Sequence, residues 1–357
     1  MGKAGSVNSD KAEEGYIRFP SSADGLEVWV KDCGSSRSVL FRGAHVVPGG
    51  EYRCAQSALE TRLSCETIRR IAAVQGRHVR DEIERSENPK YMQRGLADLI
   101  RVFGITLEGK RILDFGCGAG AFALNLLRLG ATRVTGVEVD AGLLAAASSR
   151  LQDFFPGRFQ LEKIDYIDGK YRMPLDDGQF DLVWAHAVLE HVHPRQRGFV
   201  LRELWRVLRR DGLLVVDATP NRLWFREDHT SGLPLVNYLP LRIAAALARR
   251  FSPRVPRDQT EQTLLARGFR GCTYWEIRGP LSGAECINLT DRRKDLALWE
   301  SRWRTPEGPG GRNILKKSLS VLLNLSTPVL SLLKIPAAAF LPWLVLVFRK
   351  RETGAGH

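Results

Sequence analysis

The chain has 357 residues, 44% of them hydrophobic, a formal charge of +13 and a pI near 9.7. Its length allows one large domain with insertions or two smaller ones, and its hydrophobic share is that of a globular protein. The six cysteines (33, 54, 65, 117, 272 and 286) are scattered with no C-x-x-C pair, which excludes a disulfide framework and a zinc site of usual spacing and fits a reducing cytoplasm. The charge fits either a solvated basic surface or an anionic partner, whether membrane surface or acidic substrate.

In chain order, residues 1–15 are polar and charged without an apolar core, so a disordered tail and no signal peptide are expected. Residues 16–90 form an N-terminal cap region. Its first part alternates apolar and polar residues, as in Leu26-Glu27-Val28-Trp29-Val30, which predicts a few short strands of undetermined partnership. From about Ala58 to Ser86 the pattern turns helical and charged, and Asn88-Pro89 breaks it. A second helix is predicted from Tyr91 to Phe103.

Arg111 to Gly120 then reads as strand, tight loop and the start of a helix. Glycines 116, 118 and 120 let the backbone turn sharply and approach a ligand. The next strand ends in Glu138, 18 residues beyond Gly120, where a nucleotide-binding α/β unit places a carboxylate for the ribose hydroxyls. Gly116, Gly118 and Ala121 also satisfy the dinucleotide fingerprint, so the loop alone leaves NAD open. Asp114 argues against it, because a carboxylate there repels a pyrophosphate and suits an ammonium or a sulfonium. S-adenosylmethionine carries both of those cations and a ribose.

Asp140 is a candidate N-cap for a helix through Leu151. Phe159–Ile164, Phe180–Ala185 and Leu213–Asp217 are the next strands, with an amphipathic helix over 195–209. Strands alternating with helices predict an α/β fold with a mostly parallel sheet covered on both faces. After Pro220 comes an insertion over 221–258, rich in Trp, Pro, Arg and His. A short helix at 261–267, a strand at 272–277 and a helix near 291–303 are predicted beyond it. The core therefore runs over 91–280, with a C-terminal apolar insertion over 281–341 and a final core strand over 342–350.

Between Lys317 and Arg349 the only charge is Lys334. The two uncharged runs are each too short to span a bilayer and are interrupted by prolines. Leu315, Leu319, Leu322 and Leu323 fall on one helical face. Such a helix either covers the core or lies in an anionic membrane interface at the inner face of the cytoplasmic membrane.

The motifs Leu113-Asp114-Phe115-Gly116-Cys117-Gly118-Ala119-Gly120, Gly136-Val137-Glu138, Asp177-Gly178-Gln179-Phe180-Asp181-Leu182-Val183 and Val188-Leu189-Glu190-His191-Val192 stand in this order, followed by Thr219-Pro220-Asn221. Together they resemble a class I S-adenosylmethionine-dependent methyltransferase. The branch most similar holds the ubiquinone- and menaquinone-pathway enzymes and the sugar and natural-product O-methyltransferases. The resemblance implies a Rossmann-like, seven-stranded, mostly parallel sheet with helices on both faces. It implies S-adenosylmethionine as cofactor and a small-molecule or lipid-linked acceptor, with methyl transfer to oxygen.

Position by position, the resemblance places Asp114, Gly116, Cys117, Gly118 and Gly120 at the methionine half of the cofactor and Glu138 at the ribose. It places Asp165 and Tyr166 at the adenine, and Ala185 and His186 beside the sulfonium. Cys117 is expected to contribute backbone only. In metal-binding relatives the segment matching 187–191 begins with Glu and ends Glu-His. Ala187 breaks that pattern here, so no metal is expected, with Glu190, His191 and a distant His229 as the residues in question. His191 is the candidate general base, since a histidine accepts a hydroxyl proton near neutral pH. Trp224, His229 and Tyr238, in the insertion after the fifth strand, are candidates for the acceptor wall, because ligands bind beyond strand C-termini in open α/β sheets. The alternatives are an NAD(P)-dependent oxidoreductase and a non-catalytic membrane-surface or partner-binding module. The basic residues are spread out rather than interleaved with stacking aromatics, which argues against nucleic acid.

Overall fold

The structure is a computed structural model and describes residues 15–47, 51–54, 56–88, 92–165, 172–290, 293–303, 318, 321–326, 328–330 and 332–351. The tail expected before Gly15, Tyr166, and the residues Leu315, Lys316, Lys317 and Leu319 lie outside the described residues.

The first six strands are β1 (Ile17–Phe19), β2 (Glu27–Asp32), β3 (Arg37–Arg42), β4 (His45–Val47), β5 (Glu51–Arg53) and β6 (Ser57–Thr61). Strands β1, β2, β3 and β6 form an antiparallel sheet in that order, while β4 and β5 make a separate hairpin. The partnership that the sequence left undetermined is therefore a meander. Along β2 the alternation sends Val28 and Val30 inward and leaves Trp29 half-buried. Helices α1 (Cys65–Gln75) and α2 (Val79–Glu87) follow, α1 capped by the Ser64 side chain on Thr67 N at 3.2 Å. Val28, Val30, Val39, Phe41, Ile68, Ile71 and Ile83 make the core here.

Helix α3 (Gln93–Phe103) leads into β7 (Arg111–Phe115), α4 (Ala121–Arg128), β8 (Arg133–Glu138), α5 (Ala141–Phe154), β9 (Phe159–Lys163), β10 (Phe180–His186), α6 (Pro194–Val207) and β11 (Leu208–Pro220). Beyond it come α7 (Leu241–Phe251), α8 (Glu261–Ala266), α9 (Tyr274–Arg278), β12 (Ala284–Cys286), α10 (Arg293–Trp303) and β13 (Trp343–Lys350). The chain divides into two compact units. One holds the described residues up to Met92 with Gly118–Asn125 and Asp140–Gly157; the other holds Gln93–Cys117, Leu126–Val139 and the described residues from Arg158 on.

The second unit carries a seven-stranded sheet in the order β12-β13-β11-β10-β7-β8-β9. Strands β11, β10, β7, β8 and β9 are parallel, and β13 joins β11 antiparallel. This is the Rossmann-like α/β fold expected. The central strands read apolar because they are buried along their length, as with Leu182, Val183, Trp184 and Ala185. Strand β13 behaves the same way, with Leu344, Leu346, Val347 and Phe348 fully buried.

The strand expected at 272–277 is instead a helix. Its aromatic and β-branched residues favour a strand, but Thr273 and Glu276 close a reciprocal capping box, which starts α9 at Tyr274. The sheet position goes to β12, which lies inside the stretch expected to be an insertion. Further on, Leu323 is buried against Leu296 and Leu341, while Val321, Leu322, Leu325, Val329, Leu332 and Leu333 are exposed. Among the described residues, no helix is long and apolar enough to cross a membrane.

Candidate active site

The parallel strands deliver their C-terminal residues to one edge of the sheet, and the candidate residues collect there. Asp114 pairs in register with Trp184 on β10 and is buried. The N–H groups of Gly116 and Cys117 both donate to the carbonyl of Val137, at 2.9 and 3.0 Å, which ties the glycine loop to the end of β8. Gly116, Gly118 and Gly120 all have left-handed φ, at 71°, 53° and 83°. A side chain on Gly116 would strike Val188, whereas one on Gly118 would meet nothing within 4 Å. The loop is thus packed at its first glycine and open at its second. The Cys117 thiol is buried, lies where a Gly136 side chain would go, and is held protonated by burial and then by Asp114 and Glu138.

Glu138 is buried at the end of β8 and accepts the Val139 N–H at 2.7 Å. Asp165 follows β9 but is exposed and pairs with Lys163 at 2.9 Å. These placements fit S-adenosylmethionine. An open glycine turn lies between two buried acids, one suited to an ammonium and one to a ribose diol.

On the other side of β7, Ala185 is fully buried and His186 closes β10. His186 and Asp217 are register partners across β10 and β11, and Nδ1 of the imidazole is hydrogen-bonded to the Asp217 carboxylate. Sequence reasoning gave Asp217 no role, although a signal was present: it is a third acid closing an apolar strand, like Asp114 and Glu138.

Beyond His186 the chain turns through Ala187, whose φ is 49°, into Glu190 and His191. Buried Arg197 holds this turn by donating to the carbonyls of Leu189 and Val192 at 3.1 and 3.0 Å and to that of Gly271 at 2.7 Å. Nothing in the sequence marked Arg197, since a lone arginine on an amphipathic helix reads as surface.

Glu190 is fully buried, and among the described residues its carboxyl oxygens make no hydrogen bond of good geometry, with its own backbone N–H and the Thr219 side chain as the nearest polar groups acting on it. Nε2 of His229 lies 3.9 Å from its Oε1, and Nε2 of His191 lies at 4.0 Å. Burial raises the Glu190 pKa to about 8, against the opposing effects of its own backbone and of Arg197. Burial and then His191 lower that of His229 to about 4. Burial also lowers that of His191, whose Nδ1 is bonded to the Ala266 carbonyl at 2.8 Å. A carbonyl only accepts, so Nδ1 carries the hydrogen and Nε2 the lone pair. The fold therefore brings the distant His229 to the other two, with one ligand atom from each within 4.8 Å of the others. Gly268 makes room, since a Cβ there would lie 2.7 Å from the His229 ring and 3.0 Å from Glu190 Cγ.

The other acceptor-wall candidates belong to the same loop. Tyr238 donates its hydroxyl to the Leu223 carbonyl at 2.7 Å, and the Trp224 carbonyl accepts from Asn237 at 2.9 Å. His229 is the member of the three that reaches Glu190.

Residues 113–216 match the family described as "Methyltransferase domain". The ubiquinone biosynthesis O-methyltransferase of Rhodopseudomonas palustris is 35% identical over 119 residues, 33% of this chain and 43% of that one. Methyltransferase GfsG of Streptomyces halstedii is 33% identical over 108 residues, 30% of this chain and 37% of that one. The chain spans less than half the length of either relative. Among solved structures, phosphoethanolamine N-methyltransferase 2 of Haemonchus contortus in complex with S-adenosyl-L-methionine is 16% identical, with a TM-score of 0.41 over 90% of this chain and 71% of that one.

Proposed function

We propose that this chain, whose residues 113–216 form a class I methyltransferase domain, transfers a methyl group from S-adenosylmethionine to a hydroxyl of a small-molecule acceptor. The observation that carries the reading is the strand-edge arrangement of buried Asp114, the glycine loop and buried Glu138. When bound there, the cofactor supplies an electrophilic methyl on a sulfonium. The protein's part is to orient the acceptor, exclude water and take the hydroxyl proton. The Glu190, His191 and His229 cluster lies beyond β10, where an acceptor enters an open α/β sheet, and His191 presents a proton-accepting nitrogen. Likeness to an enzyme named for ubiquinone biosynthesis supports oxygen as the atom methylated.

Calorimetry tests the cofactor half directly. Binding of S-adenosylmethionine and S-adenosylhomocysteine is expected; binding of NADH with neither of them supports the oxidoreductase alternative. An untargeted comparison of methylated products in cells with and without the protein identifies the acceptor.

An apolar, lipid-linked acceptor at a membrane surface is the narrower form of this reading. The exposed Leu322, Leu325, Val329, Leu332 and Leu333, together with the charge of +13, support it.

A further inference from the structure

We infer that Arg270 and Asn237, with Arg222 beside them, form a subsite for a phosphate monoester carried by the acceptor. This rests on the methyltransferase reading and names a group that the acceptor bears besides the hydroxyl that is methylated.

The backbone sets the two arginines together. Cys272 N–H donates to the Pro220 carbonyl at 2.9 Å, and Arg222 N–H donates to the Cys272 carbonyl at 2.8 Å. The turn leading into Cys272 is tight. Gly268, Arg270 and Gly271 have φ of 85°, 78° and 53°, and a Cβ on Gly271 would lie 2.0 Å from the Pro220 oxygen. Glycine takes such angles freely, whereas an arginine there is strained. Residues held in strain gather at ligand sites, where the surrounding structure keeps them in place. Here the strained residue brings a guanidinium to a niche that Asn221, Asn237, Pro342 and Trp343 also line.

That guanidinium is short of partners. Its Nη2 donates to the Asn237 carbonyl at 2.9 Å, while its Nε is buried and has no hydrogen-bond partner among the described residues. The carboxylate acting on it is Glu276, which is already shared. Glu276 Oε2 accepts from Thr273 N at 2.7 Å, and Nη1 of Arg222 and of Arg197 lie 3.8 and 3.9 Å from its oxygens. Three guanidiniums are thus set around one carboxylate. Burial, and then the charge of Arg222, push the Arg270 pKa down. Two acids on the niche wall do not restore the balance. Asp228 pairs with Arg226 at 3.0 Å, and Glu227 accepts the N–H groups of Thr230 and Ser231. An oxyanion supplies both the missing charge and the missing acceptor.

Asn237 narrows the class. Its side chain is buried, and its Nδ2 donates to the Trp224 carbonyl at 2.9 Å. A carbonyl only accepts, so the amide is fixed and the other atom, Oδ1, is an acceptor. Oδ1 is buried without a hydrogen-bond partner among the described residues. The niche therefore presents one unmet donor and one unmet acceptor, with room for one water-sized group. A carboxylate or sulfate oxygen would satisfy Arg270 and repel Oδ1. A phosphate monoester, whose second pKa is about 6, also offers an O–H. Its protonated oxygen meets both groups, and its remaining oxygens are left for Arg222.

The niche adjoins the acceptor side of the site. Trp343 lines it and stands edge-on to His229, with ring centres 6.2 Å apart, and His229 in turn reaches Glu190. A phosphate held there keeps the rest of the acceptor beside the histidine cluster.

The test is calorimetry of the full chain at pH 6, first with S-adenosylhomocysteine and then with phenyl phosphate added to the loaded protein. Phenyl phosphate should bind saturably, and sulfate at least about tenfold more weakly, because it has no proton for Asn237. Arg270→Gly should abolish phosphate binding. Glycine suits φ 78°, so this variant should unfold at no lower temperature than the wild type. Arg270→Lys keeps the charge without Nε and should bind phosphate weakly. Phosphate affinity unchanged in Arg270→Gly overturns the subsite. Equal affinity for phenyl phosphate and sulfate overturns the role of Asn237 and the monoester class with it. A chain that binds S-adenosylhomocysteine but not phenyl phosphate overturns the subsite alone, whereas failure to bind S-adenosylhomocysteine overturns the methyltransferase reading. Tighter binding of dihexanoyl phosphatidic acid than of phenyl phosphate would assign the phosphate to a lipid, and the reverse order to a soluble ester.

Discussion

Nε2 of His229 sits 3.9 Å from Oε1 of Glu190, a fully buried carboxyl. The two groups have opposite linkage to pH. Glu190 keeps its proton up to about pH 8 when folded, against an ordinary 4.5, so the folded chain binds the extra proton between those values and its stability falls as pH rises. His229 is deprotonated down to about pH 4 when folded, against an ordinary 6.5, so the unfolded chain binds the extra proton and stability rises with pH there. The two effects oppose each other up to about pH 6.5, and Glu190 acts alone from there to pH 8. Denaturant unfolding of the wild type should lose about 2 kcal/mol more than Glu190→Gln between pH 6.5 and 8. Equal losses would mean that Glu190 is ionised in the native state.

Cofactor affinity should depend on Gly116 and Glu138. At φ 71°, with Val188 Cγ2 2.3 Å from an added Cβ, Gly116 cannot become alanine without moving the 186–188 segment. Gly116→Ala is expected to weaken S-adenosylhomocysteine binding at least tenfold by calorimetry. Glu138→Ala removes a buried charged acceptor and should cost about 1.5–3 kcal/mol of binding. Unchanged affinity in both variants would place the cofactor elsewhere.

Arg150 is fully buried in α5 and donates to Glu82 Oε1 and to the Ala119 carbonyl, both at 2.6 Å. It therefore ties the glycine loop to α2. Removing it strands the Glu82 carboxylate, so Arg150→Met should cost about 3–5 kcal/mol of stability, measured by urea unfolding. The double variant with Glu82→Gln should recover most of that loss.

The sheet and the cofactor loop were legible because each is set by local chemistry. Buried parallel strands must be apolar throughout, and a left-handed turn selects glycine, so Leu113 to Gly120 and Gly136 to Glu138 announce themselves. The capping box at Thr273 and Glu276 was equally local, yet the strand-like composition of 272–277 masked it. What the sequence could not show was juxtaposition. Glu190 and His229 are 39 residues apart and meet only because Gly268 leaves room between them. Asp217 meets His186 only because β10 and β11 pair in register. Arg197 looks like a surface residue until the carbonyls it binds are in place.

Once the acceptor is identified, the candidate base can be tested by turnover. His191→Ala should lower kcat by roughly 10²–10⁴-fold while leaving S-adenosylhomocysteine affinity within about threefold. An unchanged kcat would remove His191 as the base. A chelator is expected to change neither rate nor affinity, because the resemblance to metal-binding relatives is broken at Ala187. Elemental analysis finding an equimolar divalent ion in the purified protein would overturn that expectation.

The exposed leucines of the C-terminal region bear on where the acceptor is met. Leu323 points into the core against Leu296 and Leu341, so this stretch is anchored on one side. Leu322, Leu325 and Val329 are 63%, 74% and 61% exposed, so beside the buried Leu323 these apolar side chains face solvent. In water each exposed leucine costs roughly 1.5–3 kcal/mol relative to burial, a cost recovered if the side chains enter an acyl layer. The charge of +13 favours an anionic surface, and ionic attraction weakens in salt while apolar insertion does not. The protein should therefore float with vesicles containing anionic lipid at low salt, with 1 M salt releasing only part of it. Replacing Leu322, Leu325 and Val329 with Ser should abolish flotation without lowering S-adenosylhomocysteine affinity. Wild-type protein that stays at the bottom of the gradient with anionic vesicles at low salt would show that these side chains do not dock on a bilayer, and the acceptor would then be met in solution.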